Sequence, residues 1–212
     1  MPDETSFEIG ACLGIPGITA HRAVYADGPV RGRTVLVAGA VGAVGNIAVT
    51  LAAWGGATVL ATVRSPGDID GARRAGAAHV FVVDDPEVAT AIRRVAPGGV
   101  DRVIEVALGP NAALDGAVLA QGGVLAAYSS PEPEPRIPFW PLLFNNVVIR
   151  LLGSDDFAAA DQRRGAADLV TCLSEQRLTI DVAQRFSLDE IAAAHEAVER
   201  PTRPGRVVVM VG

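Results

Sequence analysis

Lysine is missing from this 212-residue chain: all 18 of its Lys+Arg positions are arginine. That excludes a Schiff-base amine, a P-loop ammonium and a Tyr-x-x-x-Lys proton relay. Cysteine is almost as scarce. Cys12 and Cys172 stand far apart and support neither a disulfide framework nor a zinc-ligand spacing. No run of 18 apolar residues occurs, so no segment reads as membrane-spanning. The opening MPDETSFEIG is acidic and lacks the basic-then-apolar pattern of a secretory signal, so a cytoplasmic location is expected. Basic blocks are absent and the net charge is −6, which argues against a nucleic-acid partner. What is present is apolar: 50% hydrophobic against 20% charged residues, the balance of a chain that folds. At this length one domain, or one and a half, is expected, with room for a proper core.

Strand-like and helix-like segments alternate. Apolar strands are expected at 34–38, 57–63, 80–83, 100–106 and 123–128. Helices are expected near 46–54, 69–75, 86–95 and 112–120. Continuous apolar strands between amphipathic helices predict an α/β fold, a doubly wound parallel sheet of the Rossmann type with six strands. The proline-rich stretch 129–141 is expected to be a loop crossing the surface. Beyond it come a sixth strand at 147–152, a long helix at 158–176 and a short strand near 179–182. A helix over 189–199, capped by Ser187 or Asp189, and a last strand at 206–211 complete the pattern. The leading segment 11–26 reads as a helix interrupted at Pro16–Gly17.

Chemistry concentrates after the first strand, in VLVAGAVGAVGNIAV, where Gly39, Gly42 and Gly45 recur every third residue. Gly39 suits a tight turn, Gly42 lets a pyrophosphate approach the backbone, and Gly45 lets the helix pack on the sheet. The N–H groups of Ala43 and Val44 then face the anion, helped by the helix dipole. The spacing differs by one residue from Gly-x-Gly-x-x-Gly, and close helix–sheet packing alone would also account for it. At the end of the second strand, LATVRSPGD places Arg64 and Ser65 where an acidic residue would hold the ribose hydroxyl of NAD. A guanidinium there suits a 2′-phosphate, so NADPH is the expected cofactor. Asp68 nearby opposes it, and an ordinary solvated arginine remains the alternative.

Five blocks then carry a family resemblance: GACLGIPGITAHRAV, TVLVAGAVGAVGNIAV, GARRAGAAHVF, AQGGVLAAYSS and AAHEAVERPTRPGRVVVMV. Together they resemble the zinc-independent quinone oxidoreductases, the zeta-crystallin-like branch of the medium-chain dehydrogenase/reductase superfamily, from about Phe7 to Val211. The resemblance implies metal-free, NADPH-dependent hydride transfer to a quinone or an α,β-unsaturated carbonyl. It implies that Thr19 lies near the nicotinamide, that Tyr128, Ser129 and Ser130 contact the cofactor, and that Leu151, Leu152 and Gly153 contribute backbone beside it. It also implies a homodimer joined through the edge strand from Val147 to Leu152, whose exposed edge invites pairing. The family's domain plan makes residues 1–30 a connector from a GroES-like domain absent from this chain, 31–155 the dinucleotide-binding domain, and 156–212 helices and strands of an incomplete second domain.

This sequence departs from the family where a lysine on the phosphate side falls at Asp68 and a tyrosine falls at Val83. Among other candidates, His21 is read as able to reach the cleft or to pack, and His195 as a surface or packing residue. Asp101 and Glu105 are read as surface charges, and Trp54 and Trp140 as packing residues. No catalytic acid–base pair is identified; hydride transfer depends mainly on holding two carbons in contact and does not demand one. The second reading is a non-catalytic NADPH-binding module whose substrate wall lies elsewhere. A methyltransferase is the third, weakened by Arg64 at the position where that class favours an acid.

Overall fold

The computed structural model describes residues 5–154, 157–200 and 205–211. Six parallel strands form the central sheet: β1 (Thr34–Val37), β2 (Thr58–Val63), β3 (His79–Val82), β4 (Val100–Glu105), β5 (Leu119–Ala127) and β6 (Val148–Leu151). Their spatial order is β3-β2-β1-β4-β5-β6. The chain therefore runs outward from β1 in one direction, returns, and fills the other half from β4. This is the doubly wound order, with its switch point between β1 and β4.

The sheet is covered on both faces, which explains why its strands read as unbroken apolar runs. In β1, Val35 and Val37 enter one core while Leu36 enters the other. The first core gathers α2 (Gly14–Tyr25), α3 (Ala43–Trp54), α4 (Ile69–Ala75) and α8 (Ala159–Ser174). The second gathers α5 (Val88–Val95), α6 (Ala112–Val118) and α7 (Phe139–Phe144). Helix α4 stops at Gly76, whose φ of 115° is left-handed, and Ala77 N–H closes back on Ala72 O at 3.1 Å.

Several boundaries differ from expectation. The leading segment breaks at Cys12–Leu13, between a short α1 (Phe7–Ala11) and α2, not at Pro16–Gly17. Pro16 lies in the first turn of α2, where its missing N–H costs nothing, and Gly17 lets α8 approach closely: a Cβ there would meet Leu169 at 2.7 Å. Although it precedes β1 in the chain, α2 contributes Ala20, Ala23 and Val24 to the first core. The proline-rich stretch is not loop throughout, because Phe139–Phe144 turns into α7 with Pro141 early in it. Strand β5 starts at Leu119, pairing with Val100, and then bulges through Gly122, whose φ is 68°. The strand expected near 179–182 is displaced: Leu178 and Ile180 pack into the first core, and β7 runs Val182–Ser187. It pairs in parallel with β8 (Arg206–Met210) across α9 (Ile191–Glu199) as a separate two-stranded sheet. Ser187 and Glu190 form a capping box at the 3-10 turn leading into α9.

Candidate functional site

A parallel sheet sends the carboxyl ends of all its strands to one edge, where ligands of doubly wound folds bind. Here that edge carries the glycine loop after β1, Arg64 and Ser65 after β2, Glu105 ending β4, Tyr128–Ser130 after β5 and Leu151–Gly153 at the end of β6. The topology thus aligns four predicted segments and Glu105, with β1 and β4 at the centre.

The glycine loop has the expected geometry. Gly39 adopts φ 64°, and Gly42 caps α3 in extended conformation, its N–H bonded to Gly39 O at 2.9 Å. A Cβ on Gly45 would drive into the Gly39 carbonyl, so helix and turn touch backbone to backbone. The first intrahelical bond is Asn46 N–H to Gly42 O at 3.0 Å, and the N–H groups of Ala43, Val44 and Gly45 precede it as the helix's orphan donors. Gly42 and Ala43 are exposed, so the corner is open rather than filled by side chains.

Two residues without a local sequence signal sit beside it. Arg206 at the start of β8 donates from Nη2 to Ala43 O at 2.7 Å, and its Nε is buried without a partner among the described residues. Asn46 Oδ1 is likewise buried and unpaired there. Both residues line a cavity of about 240 Å³ together with Asp68, Asp70, Arg74 and Asp181. Only tertiary structure brings Arg206 to Ala43 across 163 residues, which hides it from any local motif. Arg64 and Ser65 are exposed next to this cavity's Gly67–Asp68 wall, and Ser65 Oγ donates to Asp68 Oδ2 at 3.0 Å. Asp68 thus sets a carboxylate against Ser65, the neighbour of Arg64.

Thr19, midway along α2, is buried and its hydroxyl has no partner among the described residues. Tyr128 is largely buried, and burial together with the nearby Glu105 pushes its phenol well above the usual range. Ser129 O accepts from Leu108 N–H at 3.2 Å, while Ser130 Oγ donates to Leu108 O at 2.6 Å. The Ser130 hydroxyl is thus committed to the loop itself. Leu152 N–H bonds Ala127 O at 2.9 Å, and Leu151 and Gly153 are exposed.

Six other candidates resolve. Glu105 is not a surface charge: it is fully buried, accepting from Asn111 Nδ2 at 2.9 Å and from Ala107 N–H. Asp101, half-buried, accepts from Arg33 and from Thr34 N–H. His21 is buried, its Nε2 2.8 Å from Asp168 Oδ2; it packs α2 against α8. His195 is exposed on α9. Trp54 donates to Glu175 at 2.9 Å, whereas Trp140 is 63% exposed and stacks beside Phe144 in a surface aromatic cluster rather than packing inside.

A larger cavity of about 600 Å³ lies among Tyr25, Arg31, Trp54 and Arg164. The loop preceding β1 and the end of α3 put it at the opposite edge of the sheet from the glycine loop.

With this geometry in place, comparison with known proteins is direct. The zinc-binding dehydrogenase family matches residues 43–171. The chain belongs to that family, and within the medium-chain dehydrogenase/reductase superfamily to the quinone oxidoreductase branch that its sequence blocks resemble. It is 27% identical over 205 residues to the quinone oxidoreductase of Homo sapiens, covering 93% of this chain and 60% of that protein. A trans-enoyl reductase of Aspergillus niger is 38% identical over 109 residues, 44% of this chain and 30% of that one. A mycobacterial protein solved in complex with NADPH superposes with a TM-score of 0.88 at 26% identity, covering 99% of this chain and 68% of that one. The chain thus spans about 60% of the human relative's length. Although the family's name speaks of zinc, no three His, Cys, Asp or Glu side chains among the described residues gather so as to hold a metal ion.

Proposed function

We propose that this chain is the cofactor-binding part of an NADPH-dependent oxidoreductase that reduces a quinone or another enone. The observation that carries the reading is the open glycine corner, where unpaired amides at a helix N-terminus lie beside the unsatisfied Nε of Arg206. Bound there, NADPH would supply the hydride. The Ala43 and Val44 amides would hold its pyrophosphate, with Arg206 neutralising the charge. Arg64, with Arg74 on the cavity wall, would meet the 2′-phosphate. Thr19, Tyr128 and the backbone at Leu151–Gly153 would position the nicotinamide half, fixing the donor carbon against the acceptor. The names of the human and fungal relatives, a quinone oxidoreductase and an enoyl reductase, support an acceptor conjugated to a carbonyl. A pair of chains joined along β6 and a cytoplasmic setting belong to the same reading; among the described residues no helix is long and apolar enough to cross a membrane.

Thermal unfolding tests it. NADPH raises the melting temperature more than NADH does, because a ligand bound only to the native state stabilises it. Arg64→Ala weakens NADPH by about tenfold, the worth of one charge-assisted hydrogen bond, and leaves NADH unchanged. Equal shifts from both cofactors in the unmutated chain defeat the phosphate assignment.

A further inference from the structure

Glu105 closes β4 and Asp115 lies in α6, both in the interior with 0% and 1% exposure. Asn111 joins them: its Nδ2 donates to Glu105 at 2.9 Å and its carbonyl accepts from Asp115 N–H at 3.0 Å, and the two carboxyl groups are near enough for each to act on the other's charge. One Glu105 oxygen is well supplied, by Ala107 N–H and Asn111 Nδ2. Glu105 Oε2 and Asp115 Oδ2 are buried with no hydrogen-bond partner among the described residues. Two neighbouring carboxylates, each with one oxygen that receives no hydrogen bond, do not both stay ionised in a low-dielectric interior. A proton between them removes the conflict: Asp115 donates, and Glu105 keeps the charge that its amide donors stabilise.

The surroundings give this pair a task. Its acceptor oxygen holds the turn after β4 through Ala107 and Asn111. That turn is tied to the segment after β5: Leu108 N–H bonds Ser129 O, Ser130 Oγ donates to Leu108 O, and Tyr128 N–H bonds Glu105 O at 3.1 Å. Both segments lie on the strand edge that carries the proposed nicotinamide half.

We propose that Glu105 and Asp115 share one proton and act as a positioning latch that holds the turns after β4 and β5 in the arrangement the cofactor needs. The binding arm of this claim rests on the function proposed above; the proton-sharing arm does not. Burial raises both acids, and their mutual repulsion raises Asp115 further. The native chain keeps a proton that the unfolded chain gives up near pH 4. This contribution is therefore full at acid pH and is lost as pH rises toward the raised native value. Tyr128 also lies beside Glu105 and stays neutral throughout that range.

Three measurements test it. At pH 7.5 the infrared spectrum of the unmutated chain shows the carbonyl stretch of a neutral carboxylic acid, and Asp115→Asn removes it; a spectrum without that band overturns the shared proton. Between pH 5.5 and 8, the folding equilibrium constant of the unmutated chain relative to Asp115→Asn falls by about tenfold or more, since one retained proton is worth a factor of ten per pH unit. Groups common to both chains cancel in that ratio, and a constant ratio overturns the proposal. The carboxamide introduced by Asp115→Asn still donates to Glu105, so this variant keeps NADPH affinity within about threefold. Asp115→Ala loses about tenfold, the cost of an orphaned buried carboxylate. Unchanged affinity in Asp115→Ala removes the positioning role. Where the unmutated chain binds no NADPH at all, the proposed function fails, and the infrared and stability results still decide the latch.

Discussion

Gly45 shows how one hydrogen atom decides the character of the glycine corner. Its α-carbon faces the Gly39 carbonyl so closely that any Cβ must displace backbone rather than a pliable side chain. Gly45→Ala is therefore expected to cost about 2–3 kcal/mol, in the range of overpacked cores, read as a lower urea midpoint at constant m-value. An unchanged midpoint means that helix and turn stand further apart than described. At this scale the glycine pattern was legible because each glycine answers a local demand of chain geometry. Glu105 was not, since an acid ending a strand looks solvated until Asp115 and Asn111 fold over it. Arg206 was not, because its partner is far away in the chain.

Among the elements, the contact between α2 and α8 shows how packing outweighs a local signal. Pro16–Gly17 looks like a helix break, yet Gly17 and Gly165 are small because the two helices meet there: a Cβ on Gly165 would sit 3.1 Å from Ile18. His21 is buried in the same contact. Desolvation lowers its pKa, although Asp168 pulls the other way. A lowered native value means that the neutral form is favoured, so its stabilising share is present above about pH 6.5 and shrinks as pH falls below it. His21→Gln is expected to flatten the loss of stability that the unmutated chain should show between pH 6.5 and 5; denaturation midpoints at the two pH values check this, and an unflattened profile refutes it. The strand displaced from 179–182 to Val182–Ser187 has a similar cause. Leu178 and Ile180 alternate like a strand, but they serve the first core, and the register with β8 begins at Val182. Alternation reports burial of one face, not a hydrogen-bonded neighbour.

The whole molecule is a sheet with one apolar edge exposed. In β6, Val148, Ile149 and Leu151 are 47%, 38% and 72% exposed, and beside them α7 shows Phe139, Trp140 and Phe144. Such an edge invites pairing. The chain is expected to be a dimer by light scattering at micromolar concentration, and Ile149→Asp to make it monomeric with its melting temperature little changed. A monomer before mutation refutes the pairing. The doubly wound parallel sheet was readable from alternating strand and helix patterns, because both faces of a parallel sheet must be covered and the connections are short. The cavities were not, since their walls come from segments distant in sequence.

The claim on which the rest depends is that a dinucleotide's phosphates rest on the amides opening α3. Titrating NADPH into labelled protein while following backbone amide resonances tests it most directly. The account predicts that Ala43, Val44 and Gly45 move furthest, with the side-chain signal of Arg206 moving alongside. Saturable NADPH binding that leaves those amides in place while others shift would contradict it.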